Sequence, residues 1–242
     1  MKKTPAQYLR LEAKRHAEML EKRSAANALT LDQEESMEQW FSLARWAEQW
    51  PAHLPHDLSP LADVVIRRRW ASHNDPDTML RELSYVDMNA ALRGACYCVL
   101  LVLAEYPVWD DQADHSYTTS LVRTTSLVRQ SLANLSGDGA APLFKSSPCM
   151  TGSGALSCLD AIVNYRCGEP ISIDTARIRL RESMRRASIF GLSHILHNGS
   201  GSWREYDAAY SARNRRMCRE IREHVPCPPA SEWVRAEMET KR

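Results

Sequence analysis

No uninterrupted apolar run in this 242-residue sequence reaches the length of a membrane-spanning helix. The longest apolar run, Gly94 to Ala104, has eleven residues, against about 20 for a spanning helix. It reads as a buried core helix, and no membrane association is expected. Charge of one sign is also missing: 31 basic and 30 acidic side chains leave a formal net charge of +1. That balance argues against bulk electrostatic binding of nucleic acid. With 44% apolar residues, the chain is neither disordered nor collagen-like. Met1-Lys2-Lys3 is not followed by an apolar segment, so no secretory signal is expected. The seven cysteines include no Cys-x-x-Cys pair. Cys149/Cys158, Cys158/Cys167 and Cys218/Cys227 share a nine-residue spacing, which puts each pair on opposite faces of a helix. Reduced, structural thiols in a cytoplasm are expected. Gly-x-Ser-x-Gly, His-Glu-x-x-His, the P-loop and the dinucleotide fingerprint are all absent, and Gly152-Ser153-Gly154 reads as a turn.

Helix signals are abundant. A basic amphipathic helix is expected from Ala6 to Leu29. A second follows Thr30, with Asp32, Glu34 and Glu35 in its first turn, and stops at Trp50-Pro51. Ser59-Pro60 and Asp75-Pro76 each pair a capping residue with proline at the first helical position. They predict helices over 60–72 and 76–84. The apolar helix spans 87–106, and another covers 114–135. Further helices are expected near 155–166, 174–197, 202–224 and 231–241. Alternation over 171–181 leaves a short strand as an alternative there. The hexapeptide Thr118 to Arg123 recurs as Thr124 to Arg129, a local duplication within a helix. The expected fold is all-α, an irregular bundle of nine or ten helices around a buried central helix at 87–106. A loop at 137–154 separates an N-terminal subdomain, 1–136, from an Arg-rich C-terminal one, 155–242, with one continuous domain as the alternative.

Three resemblances bear on chemistry. Asp110-Asp111-Gln112-Ala113-Asp114 resembles the aspartate-rich motif of all-α prenyl-diphosphate enzymes, whose carboxylates hold magnesium. Asp174 and Glu182 match the outer spacing of the second motif in that family, but Ile178 replaces its hydroxyl. The resemblance implies a metal-dependent hydrolase or transferase acting on a phosphate ester or diphosphate at Asp110, Asp111 and Asp114. The sequence His16, His56-Asp57 and Asp110 or Asp111 resembles the ligand order of HD-type phosphohydrolases, although prolines place His56-Asp57 in a loop. Arg219 and His224 resemble the Arg-x4-6-His core of helical HEPN ribonucleases; the same spacing occurs at Arg68/His73 and Arg10/His16. Against these stand simpler readings. The Asp cluster starts a helix, where acids suit the dipole. His194 and His197 share a helix face without a third ligand. No metal and no cofactor are expected.

Two surfaces stand out. Between Ala161 and His224 there are twelve Arg and seven acids, and Arg215, Arg219 and Arg222 fall on one helical stripe that suits an anion or nucleic acid. Trp203, Tyr206 and Tyr210 form a second stripe, read as core-facing. On the second helix Met37, Trp40, Phe41 and Ala44 are expected to face the core. Leu43, Trp46 and Trp50 widen the apolar arc beyond one packing surface and are expected to form a partner or self-association face. These features point to a non-enzymatic cytoplasmic binding protein, a regulator or inhibitor, with a protein as first partner and nucleic acid as second. The metal-dependent enzyme and the HEPN-like ribonuclease are the alternatives.

Overall fold

A computed structural model describes residues 5–26, 28–49, 53–105, 173–189, 192 and 202–240, with seven residues between 125 and 135. The described residues form eight helices and no strand. These are α1 (Pro5–Ala25), α2 (Leu31–Gln49), α3 (Ser59–Ser72), α4 (Pro76–Val86), α5 (Met88–Glu105), α6 (Ile173–Ile189), α7 (Trp203–His224) and α8 (Ala230–Thr240). The alternative strand at 171–181 is thereby decided for 173–181, which is helical. The loop expected at 137–154 and the helix expected at 155–166 lie outside the described residues.

Packing divides the chain into two compact units, Met1–Ser72 with Cys227–Arg242, and His73–Pro226. Helices α4 and α5 pack with α6 and α7, and α8 returns to the N-terminal helices.

In the first unit Leu9, Ala13, Ala17 and Leu20 line the buried stripe of α1, spaced as a helix face requires. The His16 ring stacks on Trp40 of α2 at 4.2 Å. Burial, and then the charge of Arg68, lower the pKa of His16, so its neutral form is favoured. The guanidinium of Arg69 on α3 lies over the Tyr8 ring at 5.0 Å. Asp63 of α3 accepts a hydrogen bond from the Ala230 N–H at 2.6 Å, satisfying one of the orphan donors in the first turn of α8.

The second unit is organised by caps and close approach. Asp75 precedes α4, with Pro76 at its first position, and its carboxylate accepts from the Thr78 hydroxyl. Asp87 ends α4 through its N–H to the Leu83 carbonyl at 2.8 Å. Its side chain then accepts from Ala90 N–H at 3.0 Å and caps α5. Helix α7 opens with a capping box in which Ser202 and Glu205 satisfy each other's backbone N–H groups. It stops at Val225, before Pro226. α5 packs against α4, α6 and α7. By length and composition α5 would also suit a bilayer, yet its buried residues include Ala90, Ala91, Ala95, Val99 and Val102. Gly94 allows the closest approach: a Cβ there would lie 2.6 Å from Leu80 Cδ2. Leu80 is itself buried and has little room to give.

Cys96, Cys98 and Cys218 are free thiols buried in this unit. Burial raises the Cys96 and Cys218 pKa values to about 12 and pushes Cys98 well above its ordinary value. Such thiols are inert at neutral pH.

Candidate functional site

The partner face expected on α2 is not open. Leu43 is 0% and Trp46 6% exposed, whereas Met37, Phe41 and Ala44, expected to face the core, are half-buried. The reason is that α2 packs against both α1 and α3, so a wide apolar arc is covered from two sides. The Trp46 indole N–H also donates to the His53 carbonyl at 3.0 Å. Trp50 lies outside the described residues.

The arginine stripe is only partly a stripe. Arg215 and Arg219 are exposed, but Arg222 is half-buried and donates to the His73 carbonyl at 3.0 Å. Other arginines of the C-terminal half also tie helices together. Arg177 pairs with Asp174 at 3.1 Å and lies over the Tyr85 ring. Arg181 pairs with Asp77 at 3.1 Å. Arg213 and Arg216 both reach Glu105, at 3.1 and 2.7 Å. The aromatic stripe is not core-facing at its start: Trp203 is 70% exposed and meets Tyr206 edge to face. Met217 and Ile221, further along, are buried.

Arg219 and His224 both lie exposed on α7. Five residues rotate a helix by about 500°, which leaves the two side chains about 140° apart. The His224 ring instead stacks on Tyr97 at 3.9 Å and lies 3.5 Å from Glu220. Glu220, Glu223 and His224 bring their ligand atoms within 4.8 Å of one another on the surface. Among the described residues His16, His56 and Asp57 form no such group. Asp110, Asp111, Asp114, His194 and His197 lie outside the described residues.

A concavity that the sequence did not foretell lies in the second unit. A cleft of about 1070 Å³ is walled by α4, α6 and α7. α6 presents Ile178, Arg181, Glu182, Arg185 and Ile189 from one face, and α7 presents Tyr210, Asn214 and Arg215. Asn74, Asp75 and Asp77 close the third side. His73, which precedes that side, shares a buried 2.8 Å hydrogen bond with Glu82, and Arg222 grips the His73 carbonyl.

Among the described residues the lining carries three carboxylates and three guanidinium groups. Asp77 and Arg181 neutralise each other through one carboxylate oxygen. Arg185 and Arg215 are exposed and make no ion pair with a described residue. Two oxygens in the wall, Asp77 Oδ1 and Asn214 Oδ1, are buried and have no hydrogen-bond partner among the described residues. Burial raises the Asp77 pKa, against the lowering effect of Arg181. Ile178, 65% exposed, adds an apolar edge. The sequence signal for this site was the i, i+4 series Arg177, Arg181 and Arg185 beside Ile178. Nothing in it foretold that Asp77 and Asn214 would join them.

Comparisons of the chain with protein-family models, with curated proteins and with solved structures found no match.

Proposed function

We propose that this chain is a non-enzymatic cytoplasmic binding protein, a regulator or inhibitor, that engages a protein partner through the cleft between α4, α6 and α7. In this reading α5 is the central helix on which the three cleft walls are mounted. The observation that carries the reading is the charge pattern of the cleft. Among the described residues equal numbers of acids and arginines line it, and two guanidinium groups, Arg185 and Arg215, are exposed. A polyphosphate backbone would meet Asp75, Asp77 and Glu182 as well as the arginines, and like charges in contact are costly. A protein segment bearing both signs meets no such penalty. The volume lies just above the roughly 300–1,000 Å³ of small-ligand pockets, enough for several side chains. The exposed Ile178 supplies the apolar contact that interfaces need beside their charges.

The test is site-specific photo-crosslinking in cells from position 178, with position 64 as control. Val64 is an exposed apolar residue of the first unit. The expected result is a protein adduct at 178, absent at 64, and lost when Arg185→Glu and Arg215→Glu are combined. A nucleic-acid adduct, an adduct with a second copy of this chain, or equal yield at both positions contradicts the proposal.

A further inference from the structure

Outside the cleft, the last turn of α7 gathers three metal-ligating side chains. Glu220, Glu223 and His224 stand at i, i+3 and i+4 on one helix face, and their ligand atoms lie within 4.8 Å of one another. None of the three lines the cleft. The His224 Nε2 is 3.5 Å from a Glu220 oxygen, longer than the roughly 2.7–3.2 Å of a good hydrogen bond. That separation instead matches the spacing of about 3.4 Å between two ligands of a tetrahedral ion, each held at roughly 2.0–2.2 Å. Stacking on Tyr97 of α5, at 3.9 Å with 9° between the planes, fixes the imidazole with this nitrogen toward Glu220. Glu223 makes no ion pair with a described residue, and its exposed side chain has room to swing inward.

The surroundings favour a cation. The three residues end α7, where carbonyls without intrahelical donors and the negative end of the helix dipole attract positive charge. Neighbouring guanidinium groups are engaged elsewhere, Arg216 with Glu105 and Arg222 with the His73 carbonyl. Tyr97 and Glu220 also line a pocket of about 690 Å³ with Leu100, Leu101 and Ala104, and apolar walls strengthen the attraction between an ion and its carboxylates. The donors select the ion. Magnesium and calcium take oxygen ligands, whereas an imidazole nitrogen beside carboxylates suits zinc. We infer that Glu220, Glu223 and His224 form a zinc site on α7, with a fourth position open to water or to a ligand atom of another molecule. All three ligands come from one helical turn, so the fold stands without the ion. The site is independent of the cleft.

The test is calorimetric titration of the full chain, stripped of metal with a chelator, with Zn²⁺ alone. The expected result is a site of micromolar or tighter affinity that excess Mg²⁺ does not displace. Changing a residue that merely supports a metal ligand costs about 10–100-fold in affinity, so losing a ligand in Glu223→Gln or His224→Ala is expected to cost about tenfold or more. His56→Ala, at an exposed histidine of the first unit, is expected to leave the site unchanged. The His224 ring nitrogens, followed by NMR, are expected to shift as zinc is added. Melting curves check that the variants fold. If His224→Ala fails to fold through loss of the Tyr97 stack, Glu223→Gln decides alone, since it alters an exposed group without an ion pair. No site at micromolar zinc, displacement by Mg²⁺, or an affinity unchanged in Glu223→Gln overturns the zinc site. None of these outcomes bears on the cleft, which the crosslink at position 178 tests.

Discussion

Asp77 shows how one side chain can be half satisfied. One oxygen is paired with Arg181 and the other is buried without a donor among the described residues. Burial is the larger influence and raises the pKa above its ordinary 3.8, although Arg181 opposes it. A carboxyl raised on folding favours the folded state most while it is protonated, below its unfolded pKa. That advantage is lost as pH rises through the folded value. The variant Asp77→Asn cannot titrate. Its stability relative to the parent chain is therefore expected to rise between pH 3.8 and neutrality, measured by urea unfolding across that range. A difference that stays flat or falls would mean that the Arg181 pair, not desolvation, governs this carboxyl. No pattern in the sequence marks Asp77, since its burial and its partner come from helices about a hundred residues away in the chain.

Helices were the readable part of this sequence, because their ends are chemical events between neighbours. Asp75-Pro76, the Ser202-to-Glu205 capping box and the proline after Val225 are local, and the corresponding boundaries agree with expectation to within a few residues. What a helix buries is not local. The arc on α2 was legible as too wide for one surface, but its second side faces a neighbouring helix, not a partner. Trp46→Ala is accordingly expected to cost about 3–5 kcal/mol of stability, read as a large drop in the chemical-denaturation midpoint. Its lost hydrogen bond adds little, because His53 is exposed and water can replace the indole N–H. A variant as stable as the parent chain would return Trp46 to the surface and restore the interface reading of α2.

At the scale of the whole molecule, all-α architecture followed from periodicity, whereas the grouping of helices did not. Periodicity gives each helix an apolar face but does not say which helix it meets. So α8 closes the unit begun by α1, and α4 to α7 close on one another around the cleft. The excess of arginine in the C-terminal half was visible, but its division between helix ties and free groups was not. Arg177, Arg181, Arg213, Arg216 and Arg222 have internal partners, and Arg185 and Arg215 face the cleft. The central claim is that these two guanidinium groups hold a protein partner. Its most direct test is the affinity of the crosslinked partner, purified, for the chain carrying Arg185→Glu and Arg215→Glu together. Placing like charges in contact costs enough to weaken binding by about tenfold or more. The double reversal is expected to show that loss, and Arg204→Glu, exposed on α7 away from the cleft lining, is expected to leave affinity unchanged. Undiminished affinity in the double reversal, or an equal loss in Arg204→Glu, would contradict the account.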